Sequence, residues 1–251
     1  MFPNPASHLG GAWAFFLDVD GTLLDIAEAP DRVVVSDRVL TLLADLSVAS
    51  GRALALVSGR SIADLDRLFV PLELPVAGLH GAERRDAAGR LHRSTVNGRL
   101  VAARAALEAF SGEHPGTLLE DKGVALALHF RGAPQAERAA RAAVAGVLPA
   151  LAPDFVLQEG KCVLEIKPAG ASKSRAIGEF MADAPFAGRR PLFIGDDITD
   201  EDGFRAVNAL GGLSILVGER SGTAATHRLP AVDDVLHWLS GCVRGLTEEQ
   251  A

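Results

Sequence analysis

The sequence predicts an α/β fold, a parallel sheet with helices on both faces, interrupted by an inserted α+β domain. Short apolar runs recur along the chain, and each ends in small polar or acidic residues; they lie at 15–17, 53–57, 76–79 and 191–194. Such runs are typical of buried parallel strands. A helical repeat separates the first run from the second, which suits a right-handed crossover. Between residues 84 and 166 the pattern instead indicates paired short strands and two helices, as in an antiparallel layer.

The composition indicates a globular protein with a substantial core and excludes several kinds of partner. The chain has 251 residues, of which 48% are hydrophobic, and a net charge of −7. This charge argues against unassisted binding to nucleic acid or anionic lipid. Cys162 and Cys242 are too few for a disulfide framework, so we expect free thiols. No signal peptide or membrane span is apparent, so we expect a soluble cytoplasmic protein without a nucleic-acid, membrane or obligate protein partner.

The first predicted strand ends in the string DVDGT at residues 18–22. Open α/β sheets place their chemistry beyond the carboxyl ends of their strands. A turn at Gly21 would bring Asp18 and Asp20 to one cavity, and the Thr22 hydroxyl with nearby amides would hold an anion. The alternative is a strand end with two solvated acids. The apolar strand before the string favours the functional interpretation.

A loop at 26–35 and a helix that begins after Ser36 and stops at Gly51 lead to the second strand. That strand ends in the string SGR at residues 58–60. Ser58 should therefore lie beside Asp18, where its hydroxyl can bond a phosphoryl oxygen and Arg60 can add a forked donor. The alternative is an ordinary turn before a helix at 62–69.

A third strand ends before His80, which we interpret either as a substrate contact or as a loop histidine with a backbone partner. From residue 84 the pattern predicts a hairpin at 84–90, strand pairs within 118–130 and 155–166, and helices at 97–111 and 135–148. We therefore expect an inserted domain at 83–167, hinged near Gly81 and near 168–170. The catalytic core would comprise residues 1–82 and 168–251.

Lys173 begins a predicted helix that runs to Met181. A lysine at a helix start is disfavoured by the backbone dipole, and a bound anion would compensate. The alternative is a solvated surface lysine.

The fourth strand runs into the string GDDITDED at residues 195–202. So many acids at a strand end repel one another unless a cation or strong N–H donors intervene. The alternative is a solvated acidic turn before a helix at 201–210. A fifth strand is expected at 214–217 and a closing helix at 232–244.

These three strings and Lys173, taken in order, resemble the motifs of the haloacid dehalogenase (HAD) superfamily. The resemblance implies a Rossmann-like core with a C2-type cap, in which Asp18 is the nucleophile, Asp20 the general acid/base, and Ser58 and Lys173 hold the phosphoryl group. Oxygen ligands without a histidine or cysteine cluster favour Mg²⁺. By resemblance, the metal ligands are the carboxylates of Asp18 and Asp196 and the main-chain carbonyl of Asp20. Asp197 and Asp200 would lie behind these ligands and orient them or the water bound to the metal.

Further strings narrow the resemblance to the trehalose-6-phosphate phosphatases. They are GLHGAE at 78–83, EDKG at 120–123 before HFR at 129–131, GK at 160–161 before EIKP at 165–168, and GDDITDED. The resemblance implies that Glu120, Lys122 and Glu165 bind sugar hydroxyls. From the strings themselves we also expect substrate contacts at Thr22, Gly59, Arg60 and His80.

Two positions depart from this pattern: Ser174 stands where the family often has glycine, and Lys167 where arginine is frequent. Three other interpretations stay open for the sugar-binding residues and the core. In the first, the trio is paired surface charge. In the second, the substrate belongs to another sugar phosphatase of the superfamily, acting on sucrose, mannosylglycerate or hexose phosphate. A non-enzymatic phospho-acceptor module is the third, and Asp20 and the insertion speak against it.

Overall fold

Two sheets organise the part of the chain that the computed structural model describes, residues 12–26, 33–93, 98–160 and 162–248. The strands are β1 (Trp13–Leu17), β2 (Leu54–Val57), β3 (Val76–Gly78), β4 (Glu83–Arg85), β5 (Leu91–Arg93), β6 (Leu118–Asp121), β7 (Leu126–His129), β8 (Phe155–Gly160), β9 (Val163–Pro168), β10 (Arg190–Gly195), β11 (Leu213–Val217) and β12 (His227–Leu229). The α-helices are α1 (Asp37–Ala49), α2 (Ile62–Leu68), α3 (Gly98–Glu113), α4 (Glu137–Leu151), α5 (Lys173–Met181), α6 (Glu201–Ala209) and α7 (Val232–Glu248).

The larger sheet has eight strands in the order β12-β11-β10-β1-β2-β3-β4-β5. All pairs from β12 to β3 are parallel, and β4 joins antiparallel to β3. Side chains alternate across β1, so that Phe15 faces the layer of α1, α2 and α7 while Phe16 faces α5 and α6. Helices therefore cover both faces, and the predicted α/β fold is confirmed.

Contacts between Cα atoms divide the chain into two compact units. The core unit comprises Met1–His92 and Ser172–Ala251, and the inserted unit comprises Arg93–Ala171. The predicted insertion began at residue 83, but β4 pairs with β3 and so extends the core sheet by one antiparallel strand. The predicted hairpin at 84–90 thus lies within the core unit, where it comprises most of β4 and the turn that leads to β5.

The inserted unit is an antiparallel sheet with the strand order β6-β7-β9-β8. One face packs against α3 and α4 through a separate apolar cluster that includes Leu126, Leu128, Leu164 and Ile166. Both predicted strand pairs are present, and α4 runs three residues beyond the predicted end at 148. Residue 97, predicted to begin α3, lies outside the described residues.

Several other details differ from the predictions or lie beyond them. The closing helix α7 continues to Glu248, and the short edge strand β12 was not expected. Residues 27–32 of the predicted loop lie outside the described residues, whereas residues 33–35 have no regular structure. Cys162 and Cys242 are free, as predicted. Among the described helices, none combines the length and apolar character needed to cross a bilayer.

Candidate active site

The strand ends at the centre of the core sheet bring two distant aspartates to one edge. Because β1 and β10 are parallel with Leu17 opposite Ile194, Asp18 and Asp196 leave the sheet in the same direction. The Asp18 amide donates a hydrogen bond of 2.9 Å to the Ile194 carbonyl, which extends the ladder to the site. Asp18 is buried and Asp196 is half-buried.

The turn after β1 depends on a glycine for two separate reasons. Gly21 has φ of +76°, a conformation that other residues rarely adopt. A Cβ atom at this position would also lie 2.1 Å from Oδ2 of Asp196. The absence of a side chain at Gly21 therefore leaves the space that the Asp196 carboxylate occupies.

Lys173 is buried at the start of α5 and bonds two carboxylates. Its Nζ atom donates to Oδ1 of Asp18 at 2.8 Å and to Oδ1 of Asp200 at 2.5 Å. Burial by itself lowers the pKa of Lys173, but the charges of Asp18 and Asp200 outweigh burial and raise that pKa. Lys173 is therefore a charged component of the site, and the solvated-surface interpretation of this lysine was wrong.

Asp200 is fully buried and holds the turn after β10 in place. Its Oδ2 atom accepts hydrogen bonds from the amides of Asp196 and Asp197, at 3.0 and 2.9 Å. Asp197 is exposed and its carboxylate accepts from the Ile198 amide, so it caps the turn. Asp200 thus orients the backbone that carries Asp196, while Asp197 lies outside the carboxylate cluster.

The residues present fit a cation. Carboxylate oxygens of Asp18, Asp196 and Asp200 all lie within 4.8 Å of one another. Oδ1 of Asp196 is buried, and within the described residues it has no hydrogen-bond partner. Both oxygens of Asp200 are already engaged by Lys173 and two amides, so Asp18 and Asp196 are the better placed ligands.

The charges of the cluster also call for a cation. Three carboxylates face one ammonium group, so negative charge is in excess. Burial raises the pKa of Asp196 to about 7, and the charges of Asp200 and Asp197 act in the same direction. Burial likewise raises the pKa of Asp18, although the Lys173 ammonium opposes that shift. A divalent cation would reduce this repulsion and would bind the Oδ1 atom of Asp196, which has no hydrogen-bond partner among the described residues.

Ser58 lies at the end of β2, the strand next to β1. It is buried, and its hydroxyl oxygen accepts a hydrogen bond of 3.1 Å from the Arg60 amide. Thr22 is also fully buried, and no described residue is within hydrogen-bonding reach of its hydroxyl. Two buried hydroxyl groups therefore lie in the loops that follow β1 and β2.

His80 lies over the glycine of the SGR string. Its amide donates to the Ser58 carbonyl at 2.9 Å, and its φ of +54° places it in the left-handed region. A Cβ atom on Gly59 would lie 2.7 Å from the imidazole ring of His80. Gly59 therefore makes room for the imidazole of His80, whose Nδ1 atom is buried and has no hydrogen-bond partner among the described residues.

Arg60 is paired with Asp20, an interaction that the sequence patterns did not predict. Its Nε and Nη2 atoms donate to the two carboxylate oxygens of Asp20, each at 2.7 Å. This forked geometry orients the Asp20 side chain, which is 37% exposed. Arg60 was expected to donate to a phosphoryl oxygen, whereas here its fork is engaged by Asp20. The adjacency of the first two strand ends was the signal that could have found the pair.

The three remaining candidates lie together in the inserted unit. Cross-strand pairing aligns Glu120 with Ala127 and Ala127 with Glu165, so both glutamates point to the face opposite α3 and α4. Nζ of Lys122 lies 3.4 Å from Oε1 of Glu165. Glu120 contacts His129 at 3.0 Å, and this hydrogen bond is the main cause of the lowered pKa of Glu120. His129 is a further polar side chain beside these candidates, which its place in the HFR string did not reveal.

Comparisons with known proteins agree with this geometry. The chain matches the trehalose-phosphatase family over residues 16–234. It is 46% identical over 246 residues to the trehalose-6-phosphate phosphatase of Escherichia coli (strain K12), covering 97% of this chain and 91% of that protein. It is 48% identical over 206 residues to a probable trehalose-phosphate phosphatase of Sinorhizobium fredii, covering 82% and 78%.

Two solved structures are also similar to this chain. A trehalose-6-phosphate phosphatase related protein superposes with a TM-score of 0.78 at 24% identity, covering 95% of this chain and all of that one, which supports the fold alone. The Aspergillus fumigatus trehalose-6-phosphate phosphatase has a TM-score of 0.61 at 30% identity, covering 92% of each chain. The family match and the identity to curated relatives show that this chain belongs to the trehalose-phosphatase family, hydrolases that act on a phosphoric monoester.

Proposed function

We propose that this protein is a Mg²⁺-dependent phosphatase that hydrolyses trehalose 6-phosphate to trehalose and phosphate. The observation that supports this most strongly is the placement of Asp18, held by Lys173 beside the partner-free oxygen of Asp196. The 46%-identical Escherichia coli relative carries the same activity in its name. The cytoplasmic location stays a prediction.

The proposed reaction has two displacements at phosphorus. A carboxylate oxygen of Asp18 attacks, the bond between phosphorus and the sugar oxygen breaks, and Asp20 gives its proton to that oxygen. In the second step Asp20 takes a proton from water as the water oxygen attacks the aspartyl-phosphate. The bond between phosphorus and Asp18 then breaks and releases phosphate. Arg60, through its fork to Asp20, orients the group that moves both protons.

Other core residues bind and orient the phosphoryl group in this scheme. Lys173, Ser58 and Thr22 supply an ammonium and two hydroxyl groups, and the loops around Gly59, Arg60 and His80 complete the substrate contacts. The carboxylates of Asp18 and Asp196 and the main-chain carbonyl of Asp20 would hold Mg²⁺, with Asp197 and Asp200 behind them. When bound, the ion supplies positive charge to the phosphoryl oxygens.

The inserted unit is proposed to bind the sugar. Glu120 and Glu165 are acceptors and Lys122 is a donor, a combination that suits the many hydroxyls of a disaccharide. Lys122 and Glu165 are largely buried and lie 3.4 Å apart, which is unlike the exposed surface pairs that contribute little to stability. This burial favours a binding role over paired surface charge.

Phosphate release from a panel of sugar phosphates tests the proposal. We expect kcat/KM for trehalose 6-phosphate to exceed that for glucose 6-phosphate by about 100-fold or more, since polar groups left unpaired by a smaller sugar lower its affinity. A chelator should abolish release and added Mg²⁺ should restore it. Glu120→Ala should reduce the preference, whereas Glu108→Ala, which removes an exposed charge on α3, should not.

Equal rates on both sugar phosphates, with the Glu120→Ala variant unchanged, would rule out the substrate assignment. A higher rate on sucrose phosphate or mannosylglycerate phosphate would identify the protein instead as a different sugar phosphatase of the same superfamily. Full activity in the presence of the chelator would rule out the metal.

A further inference from the structure

The first residue of β4 contacts the loop that follows β2. Glu83 is buried, and its Oε1 atom accepts a hydrogen bond of 2.6 Å from the amide of Ile62, where α2 begins. A carboxylate acceptor makes hydrogen bonds that are shorter and stronger than those between neutral groups. Glu83 therefore fixes the backbone at the end of this loop, two residues beyond Arg60.

A glycine on the neighbouring strand lets Glu83 reach this backbone. Gly78 pairs with Glu83 across β3 and β4, so both lie on the same face of the sheet. A Cβ atom on Gly78 would lie 2.9 Å from both the Arg60 carbonyl oxygen and the Ile62 nitrogen. It would lie 3.0 Å from Oε1 of Glu83. The Glu83 carboxylate and the loop backbone thus meet over Gly78, because no side chain separates them there.

The backbone of Arg60 is held at further points. Its amide donates to the Ser58 hydroxyl at 3.1 Å, and its carbonyl accepts from the Leu79 amide at 2.9 Å. Together with the bond to Glu83, these contacts fix the direction in which the Arg60 side chain leaves the loop. The fork of that side chain to Asp20, two bonds of 2.7 Å, depends on this direction because a guanidinium is planar and rigid.

The position of Asp20 matters because it is the group that moves protons in the proposed reaction. A carboxyl group can protonate the sugar oxygen only from within hydrogen-bonding reach of it. An error of about 1 Å in the position of a catalytic group can lower a rate about 100-fold. A series of contacts thus links Glu83, the backbone of Arg60 and the side chain of Asp20, and all of it lies within the core unit.

We propose that Glu83 is a positioning residue for proton transfer. The hydrogen bond that it accepts from the Ile62 amide holds Arg60, and Arg60 holds Asp20. This inference rests on the proposed function, because that function assigns Asp20 as the general acid/base.

Two substrates with different leaving groups test the inference. The sugar oxygen of trehalose 6-phosphate is a poor leaving group unless Asp20 protonates it, whereas p-nitrophenolate leaves from p-nitrophenyl phosphate without a proton. Glu83→Ala should therefore lower kcat/KM for trehalose 6-phosphate about 10- to 100-fold and leave kcat/KM for p-nitrophenyl phosphate close to wild type. The ratio of the two values does not depend on the fraction of the protein that is folded.

Two single variants serve as controls. Glu83→Gln keeps an oxygen that can accept from the Ile62 amide, so its ratio should stay close to the wild-type value. Arg85→Ala is the matched control, because Arg85 points to the same face of β4 and binds Asp66 of α2 at 2.7 Å. It loosens the same strand and helix four residues beyond Ile62, and its ratio should equal that of the wild-type protein.

A double variant tests the route through Arg60. If Glu83 acts through Arg60, Glu83→Ala added to Arg60→Ala should cause no further loss of kcat/KM for trehalose 6-phosphate. This arm needs only the one substrate. A residue with a merely structural role would instead lower the rate by the same factor in both backgrounds.

Several results would overturn the inference while leaving the proposed function in place. They are an unchanged ratio or an equal fall on both substrates in Glu83→Ala, an equal fall of the ratio in Glu83→Gln or Arg85→Ala, and a full further loss in the double variant. Failure of the wild-type protein to hydrolyse trehalose 6-phosphate would instead reject the proposed function.

Discussion

Lys173 shows how much the environment of a residue decides its role. Lysine is among the residues least often buried, yet here its ammonium lies inside the molecule between Asp18 and Asp200. The sequence could predict that Asp18 and Asp196 meet, because parallel strand ends share one edge of a sheet, whereas the place of Lys173 beside Asp18 was implied only by the family resemblance. It could not predict the fork between Arg60 and Asp20, since two loop conformations 40 residues apart must be known first.

Asp86 is a buried acid that the sequence pattern presents only as part of an ordinary turn. It accepts hydrogen bonds from the amides of Ala88 and Arg90, both at 2.9 Å, and from the side chains of Arg90 and His92. Burial acts to raise the pKa of Asp86, but these hydrogen bonds outweigh it and hold that pKa well below its usual range. The carboxylate therefore fixes the turn between β4 and β5.

Replacement of Asp86 by Asn should make the protein less stable in a pH-dependent way. The depressed pKa means that the ionised carboxylate contributes fully above the unfolded value of about 4 and progressively less as the pH falls below it. We expect a loss of about 1–2 kcal/mol in the free energy of unfolding at pH 7, discounted for the nearby solvent. The difference between the two proteins should shrink between about pH 4 and pH 2.

Urea denaturation at several pH values measures this difference. Asp45→Asn is the control, because Asp45 is exposed on α1 and its removal should change stability little at any pH. A difference for Asp86→Asn that stays constant down to about pH 2 would contradict the role given to this carboxylate.

Elements of the core sheet were predictable where burial is complete. The central strands β1, β2 and β10 are buried along nearly their whole length, so they stand out as apolar runs. The edge strand β12 has the sequence His-Arg-Leu and an exposed central residue, so it carries no such signal. β4 was assigned to the insertion for a similar reason, because its charged sequence Glu-Arg-Arg does not resemble a core strand.

The contact between α6 and β10 offers a prediction at the level of elements. Gly203 lies where the helix crosses the sheet, and a Cβ atom there would be 2.5 Å from the ring of Phe193. That ring is fully buried against Phe204 and cannot move aside. Gly203→Ala gains up to about 1 kcal/mol of helix propensity but costs about 1–3 kcal/mol by overpacking, so we expect a net loss of about 1–2 kcal/mol.

The same substitution in a neighbouring helix should have the opposite sign. Gly178 is exposed within α5, and beyond the adjacent helix backbone no atom of the described residues would lie within 4 Å of an added Cβ atom, so Gly178→Ala should stabilise the protein by about 0.5–1 kcal/mol. Urea denaturation of both variants gives the two values. Stabilisation by Gly203→Ala would show that α6 does not pack on β10 as closely as described.

At the scale of the whole molecule, each unit has its own apolar core. One apolar cluster lies on each face of the core sheet, and a third belongs to the inserted unit alone. The existence of an inserted unit was predictable from the change in strand pattern near residue 84. The boundary of this unit at residue 93 was not predictable. It follows from the pairing of β4 with β3, which the sequence does not reveal.

The overall charge of −7 opposes the approach of a phosphate ester, so the site must compensate locally. The core unit does so by burying Lys173 among the carboxylates and by presenting a cluster that fits a cation. The inserted unit carries the hydroxyl-binding candidates on a separate sheet. In the proposed function, phosphoryl chemistry and sugar selection thus belong to different units of one chain.

The central claim is that the carboxylate of Asp18 accepts the phosphoryl group, and the activity of Asp18→Asn tests it most directly. The measurement is the initial rate of phosphate release from trehalose 6-phosphate with saturating Mg²⁺, beside the wild-type protein and an Asp25→Asn control at an exposed neighbour. We predict that Asp18→Asn lowers kcat by about 10³-fold or more while Asp25→Asn stays near wild type, because only Asp18 serves as the nucleophile. A rate for a folded Asp18→Asn protein within about tenfold of wild type would contradict this role for Asp18.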